Sequence, residues 1–338
     1  MDGFLDSTAW LARRDGSVVL GHGPFTQSAD PPESGVAFYI QDFALRGRTP
    51  WQTPSRVERI STDELRDRFV DVCPQEFDWQ TLDATLFSEV FQEVMSCIHA
   101  GVFEKTVPVV TESGTSMLSP GIAIAAAMTR QKAPLYSYGW AHGEHGFAGA
   151  TPELLFSLNG NHLETMALAG TARSEDQEVF AVDEKEIREH EYVAQTLVSK
   201  LLELGRVERL PREILDLGSI VHFLTTINLT LSSIQGAEVL LKKLHPTPAL
   251  GPLPRTMETL GRLLDWRARL DCPESFGAPF GLWDEGRFDA IVAIRGIWWD
   301  GNRMMLPAGC GVIEASRLVN EWRELRLKRE AVKRFLKL

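Results

Sequence analysis

Residues 147–170 read FAGATPELLFSLNGNHLETMALAG. Two runs of alternating apolar residues flank Asn159-Gly160, a dipeptide favoured in hairpin turns. The stretch therefore reads as an antiparallel strand pair. Glu153 follows Pro152 at a strand start and shares a face with Leu155 and Ser157. A second strand pair is expected from RFDAIVAIRGIWW and RMMLPAGCGVI around Asp300-Gly301. Between residues 102 and 110, VFEKTVPVV also alternates, with Phe103, Lys105, Val107 and Val109 on one face.

Three segments carry helical periodicity instead. In DATLFSEVFQEVMSCIHAG, Leu86, Phe87, Val90, Phe91, Val94, Met95 and Ile98 recur at three- and four-residue steps, and Gly101 is placed to end the helix. Asp183 and Glu186 have the spacing of a capping box opening DEKEIREHEYVAQTLVSKLLELG, which Gly205 would close. A last helix runs from about Asn320 to the C-terminus with basic residues in its final turns. Strands outnumber helices and no βαβ alternation occurs, so the expected class is α+β, with largely antiparallel sheets and long helices packed outside.

The 338 residues show no repeat and no linker, so one large domain is expected. Residues 81–338 would form its core, with 1–80, rich in turn formers, a variable N-terminal part of the same fold. The 35 basic and 46 acidic residues give a formal net charge of −11, which argues against a nucleic-acid partner while leaving room for a locally basic pocket. Cys73, Cys97, Cys272 and Cys310 form no CxxC pair and read as reduced thiols of a cytoplasmic protein. No apolar run approaches the roughly 20 residues of a membrane helix. The opening MDGFLDSTAWLARRDG lacks the basic and apolar regions of a secretory signal. A monomer without membrane attachment is expected.

Several chemistries are excluded by missing motifs. GxxxxGK[ST], GxSxG and GxGxxG after a strand are absent, and His190-Glu191 lacks the second histidine of HExxH because position 194 is Ala. His142, Glu144 and His145 could ligate a metal, but their Gly-rich segment favours a plain turn. Three constellations remain. Lys105 lies among apolar residues, either as a desolvated amine able to act as a base or as a sheet-rim lysine whose head reaches water. Glu186 and Glu189 on one helix, and Glu321 and Glu324 on another, are i,i+3 pairs. Converging, they would offer carboxylates to Mg²⁺; apart, each pair would only complement a helix dipole. Arg295 lies in an apolar strand and requires an anionic partner, a ligand carboxylate or a structural glutamate. Lys328 and the glycines of AGCG, residues 308–311, lie near it in the same scheme.

In this order, EKTV at Lys105, ATPELL at Glu153, LAGTAR at 168–173, REHE at Glu189, LHPTPAL at 244–250, AIR at Arg295, AGCG at Gly309 and NEWRELRLK at 320–328 resemble the chorismate-binding enzymes, and among them the isochorismate synthases. The resemblance covers residues 103–338 and implies two large antiparallel sheets forming a sandwich around the site. It implies chorismate as substrate and Mg²⁺ as cofactor, with water added at C2 and the C4 hydroxyl lost. Lys105 matches the general base and Glu153 the general acid. Glu189 and Glu324 match the metal ligands, with Glu186 and Glu321 nearby. Gly170, Thr171, His245, Ala249, Leu250, Arg295, Gly309 and Lys328 match substrate-binding positions. Ala169 stands where aminodeoxychorismate synthases carry lysine, and Ala249-Leu250 favours isochorismate as product. Salicylate synthase and a non-catalytic chorismate-binding paralogue are the alternatives. The product would feed menaquinone or siderophore biosynthesis. Three departures from the family pattern are Val110, where an arginine is usual, Gly251 preceding Pro252, and an N-terminal portion shorter than usual, from which one sheet is expected to lack strands.

Overall fold

The computed structural model describes residues 6–73 and 75–336. The hairpin read at 147–170 is present: Leu154–Asn159 pairs with His162–Arg173. Its register sets Asn159 opposite His162, so the two turn residues are Gly160 and Asn161, one step later than the dipeptide suggested. Gly160, at φ +60, takes the left-handed conformation that a tight turn demands and that a Cβ would disfavour. Gly296–Asp300 and Arg303–Gly309 form the second pair, turning through Gly301 and Asn302.

All strand pairings are antiparallel, and their sheet arrangement differs from the expected sandwich of two large sheets. Among the described residues, seventeen strands are hydrogen-bonded into one sheet, and a separate two-stranded ribbon joins Lys105–Thr106 to Val312–Ile313. The reason lies in strands that bond on both edges. Ser7–Ala12 pairs with both Ser17–Ser28 and Tyr136–His142. Leu154–Asn159 pairs with both His162–Arg173 and Arg287–Val292. Pro279–Asp284 links Arg287–Val292 to Val36–Ile40. Register shifts between His22 and Phe25, and between Ala169 and Ala172, let the long strands bend as they pass from one region to the next.

The alternating run at 102–110 does not form one strand. Pro108 has no N–H for a ladder, and the chain divides around it into Lys105–Thr106 of the ribbon and Val109–Thr115 of the large sheet. Phe103, Lys105, Val107 and Val109 are nevertheless all buried.

Helices cover the sheet. Thr85–His99 packs Phe87, Val90, Phe91 and Val94 against Phe103, Val110, Trp266 and Leu325. Fully burying such side chains is worth about 1.5–3 kcal/mol each. Val110, the position of the missing arginine, belongs to this apolar layer. Gly101, at φ +76, ends the helix turn as expected. Helix Glu184–Leu202 places Val193, Ala194, Leu197 and Leu201 in the main core. It stops at Leu202, and Gly205 opens a strand, Gly205–Arg209, rather than closing the helix.

The capping box at Asp183 is half-formed. The Asp183 side chain accepts from the Glu186 amide at 3.1 Å, while the Glu186 carboxylate turns away to the Thr171 amide and to Lys185. The last helix, Leu318–Phe335, is tied to Val109–Thr115 by one buried carboxylate. Glu112 accepts from Arg329 Nε at 3.0 Å and Lys333 Nζ at 2.5 Å. Both helices pack on His162–Arg173, and they bring residues 185–189 and 321 together.

Candidate active site

Lys105 is fully buried, which removes the sheet-rim alternative. Its Nζ donates to the Pro248 carbonyl at 2.5 Å and lies 3.3 Å from Glu189 Oε1. The backbone of Lys105 exchanges hydrogen bonds with Leu253, so residues 247–253 hold this lysine on both its main chain and its side chain.

The same loop reaches Glu153. Thr247 Oγ1 donates to Glu153 Oε1 at 3.3 Å, and the Glu153 amide is held by Thr151 Oγ1 at 3.2 Å. Glu153 sits in the break between His145–Thr151 and Leu154–Asn159, where Pro152 interrupts the ladder and turns its carboxyl inward. Burial pushes its pKa up to about 7, against the opposing pull of Thr247, Lys105, Lys328 and Arg295.

The two acidic pairs converge around Lys185. Its Nζ lies 2.8 Å from Glu186, 3.4 Å from Glu189 and 3.5 Å from Glu321, so both helices contribute. Burial raises the Glu186 carboxyl to about 7, with repulsion from Glu189 adding to it, and burial plus repulsion from Glu324 raises Glu321 to about 8. Glu189 behaves oppositely. Burial would raise it, but Lys105, Lys185 and Lys328 outweigh that and hold it down at about 2. Burial likewise works against the Lys185 ammonium, yet the four surrounding carboxylates hold its pKa above the ordinary lysine value.

Among the described residues, no group of three or more His, Cys, Asp or Glu side chains is arranged to hold a metal ion. The donor chemistry nevertheless suits a hard divalent cation: all the donors are carboxylate oxygens. Glu321 is 1% exposed, and neither of its oxygens has a hydrogen-bond partner.

Arg295 occupies a break between Arg287–Val292 and Gly296–Asp300, at φ +56, a conformation costly for any residue with a Cβ. Among the described residues it forms no salt bridge with a carboxylate, so the structural-glutamate alternative is not the one seen. Arg295 Nη2 instead meets His222 Nε2 at 2.9 Å, and His222 Nδ1 donates to the Gly170 carbonyl at 2.7 Å. Because that carbonyl can only accept, the proton is on Nδ1 and the Nε2 lone pair faces the arginine. Burial, then Arg295 and Lys328, keep His222 neutral by pushing its pKa well below the usual value. Burial also lowers Arg295 to about 10, partly offset by Glu324 and Glu153. Arg295 is thus a buried cation facing a cavity, with no carboxylate in salt-bridge contact among the described residues, a setting that favours an incoming anion.

Lys328 donates to the Gly309 carbonyl at 2.8 Å and pairs with Glu324 at 2.6 Å. Lys328 thus holds the Gly309 main chain through its carbonyl. Gly311 serves a different purpose: a Cβ there would stand 2.0 Å from Glu189 Oε1 and 2.9 Å from Lys105 Cε. Only glycine lets the chain pass this close to the pair.

One inner cavity gathers Glu153, Gly170, Thr171, Glu189, Ala249, Leu250, Arg295, Gly309 and Lys328. An outer cleft contains Lys185, Glu186, Glu321 and Glu324 and shares Thr171 with it. Lys105 stands just behind the inner wall, against Glu189. His245 lies elsewhere: its Nε2 contacts the Phe43 carbonyl at 2.8 Å, its ring packs edge-on against Phe43, and it does not line the cavity. Sequence reasoning missed Lys185, His222 and Thr247, and it singled out Gly311 only as one of the glycines of AGCG. His222 sits in an apolar strand, IVHFL, and reads there as a core histidine.

Residues 51–337 match the family described as "Chorismate binding enzyme", and the chain belongs to that family. It is 32% identical over 191 residues to isochorismate synthase EntC of Escherichia coli (strain K12), covering 53% of this chain and 48% of that protein. Against isochorismate synthase MenF of Haemophilus influenzae it is 29% identical over 226 residues, covering 60% and 49%. The chain thus spans about half the length of these curated relatives. Its fold is similar to that of the menaquinone-specific isochorismate synthase MenF from Escherichia coli, with a TM-score of 0.80 at 21% identity over 98% of this chain and 88% of the other.

Proposed function

We propose that the protein is an isochorismate synthase, with its chemistry carried by residues 81–338. The observation that carries this reading is a buried Lys105 and a buried, proton-retaining Glu153 held by one loop, 247–253, beside a cavity that Arg295 lines with His222 as its hydrogen-bond partner. The names of the relatives support the same reaction.

In this reading Arg295 and Lys328 attract the carboxylates of chorismate, and Ala249 and Leu250 supply apolar wall beside the ring. Lys105, positioned by Pro248 and Glu189, acts from its neutral amine form, giving up its proton before it accepts one from the water that attacks C2. Glu153 donates its proton to the departing C4 hydroxyl, which leaves as water while the ring double bonds shift. One water enters and one leaves, so the net change is an isomerisation. A carboxyl that titrates near neutrality suits this donor role, because a fraction remains protonated where the enzyme works. Glu189 and Glu324, with Glu186 and Glu321 beside them, would hold Mg²⁺. Bound there, the ion would supply positive charge to a substrate carboxylate.

The test is to incubate purified protein with chorismate and Mg²⁺ and separate the products by chromatography. Isochorismate is expected as the main product. Equal amounts of salicylate and pyruvate would reassign it as a salicylate synthase, and Mg²⁺-dependent chorismate binding without turnover would make it a non-catalytic paralogue.

A further inference from the structure

We propose that Lys185 is an internal counter-ion that fills the cation position of the metal-free protein and has to withdraw when a divalent ion binds. The inference rests on the metal reading above and adds a competitor to it.

The Lys185 ammonium touches Glu186 and Glu189 from its own helix and Glu321 from the C-terminal helix, at 2.8–3.5 Å. An ordinary i,i+4 helix pair would account for the contact with Glu189 alone. Reaching Glu321 as well places the positive charge between the two helices, where the carboxylates converge. Mg²⁺ binds oxygen at about 2.0–2.1 Å. An ion drawing Glu189 and a carboxylate of the other helix to that distance would stand within a few ångströms of Nζ, and two positive centres so close in a partly buried setting repel strongly. One cation can occupy the space.

The absence of a ready-made ligand set among the described residues is consistent with this, since the carboxylates are spread around an ammonium whose contacts are longer than metal–oxygen bonds. Glu321 marks the incompleteness: Lys185 comes no nearer than 3.5 Å, and both its buried oxygens lack hydrogen bonds. Lys185 also has somewhere to go. Its side chain is 23% exposed and lines the outer cleft, where Asp183, Asp176 and Glu175 offer alternative partners. The expected consequence is a weakened apparent metal affinity, because part of the binding energy is used to expel the lysine.

Calorimetric titration with Mg²⁺ alone, without chorismate, tests this on the full chain. Lys185→Met should bind Mg²⁺ at least about tenfold more tightly than wild type, whereas Lys185→Arg, which keeps the charge, should stay within a few-fold of it. Equal or weaker binding by Lys185→Met overturns the displacement and leaves the metal reading intact. No binding by either protein removes the metal reading and the displacement with it. Should Lys185→Met fail to fold, amine acetylation of the wild type read by mass spectrometry decides. Mg²⁺ should speed modification at Lys185 several-fold as the side chain moves to the cleft, and an unchanged or slower rate overturns the proposal.

Discussion

Lys105 Nζ lies 3.3 Å from Glu189 Oε1, with the lysine side chain wholly buried and the glutamate side chain 7% exposed. The base proposed for water activation and the carboxylate proposed for the metal are therefore direct neighbours, and a change in one reaches the other. Lys105→Ala should abolish isochorismate formation by 10²–10⁴-fold or more. It should also destabilise the fold by about 3–5 kcal/mol, because the Glu189 charge loses a buried partner. Chemical denaturation alongside the chromatographic assay checks both. Wild-type turnover by this variant would remove Lys105 from the base role.

In the proposed acid role, Glu153 would give the reaction and the fold a shared pH dependence. Its carboxyl titrates at about 7 in the native protein against 4.5 in an open chain. Between those values the native state keeps a proton that the unfolded state releases, so stability falls as pH rises from about 4.5 to 7 and stays lower above. The difference, 7 − 4.5 or about 2.5 units, corresponds to roughly 3 kcal/mol for this one site. Glu153→Gln should flatten the stability profile by about that amount, and comparing the two proteins isolates this carboxyl. Its kcat should drop about 10²–10⁴-fold, while the wild-type kcat declines as pH passes above about 7.

His222 holds Arg295 through its Nε2 lone pair. His222→Leu leaves a buried guanidinium N–H unpaired, at a cost of about 1–3 kcal/mol. The expected kinetic result is an increase in KM for chorismate of about tenfold with a smaller fall in kcat. In an Arg295→Ala background, His222→Leu should add nothing further, since both changes act on one anion contact. Additive effects would separate His222 from Arg295.

Gly311→Ala inserts a methyl group 2.0 Å from Glu189 Oε1. Glu189 and Lys105 have to shift to admit it, and displacement of about 1 Å is enough to cost roughly 10²-fold in rate. Turnover should fall at least that far and Mg²⁺ affinity should weaken together with it, read by calorimetry. Retention of both would mean that the pair has slack not visible in its geometry.

The sequence revealed local chemistry better than long-range pairing. Alternation placed Lys105 on an inward face, and that face is buried even though Pro108 divides the strand. Helical spacing put Glu186 with Glu189 and Glu321 with Glu324, and the two helices do meet. What stayed hidden depended on contacts between distant segments. Lys185 lies in the charged run EKE and looks solvated until the C-terminal helix arrives beside it. Glu186 reads as half of a capping box because nothing local shows that Thr171 will claim its carboxylate. The single seventeen-stranded sheet depends on which strand edges meet, and binary pattern does not encode that.

The ribbon formed by Lys105–Thr106 and Val312–Ile313 sets a limit on insertions and deletions. Neighbouring residues of a strand point to opposite sides, so losing or gaining one residue between Thr106 and Val109, with the large sheet held in place, would swing Thr106 or Glu104 into the position of the amine. At this crossing the count of residues matters as much as their identity, and variants of altered length here should be inert even when every side chain of the pocket is retained.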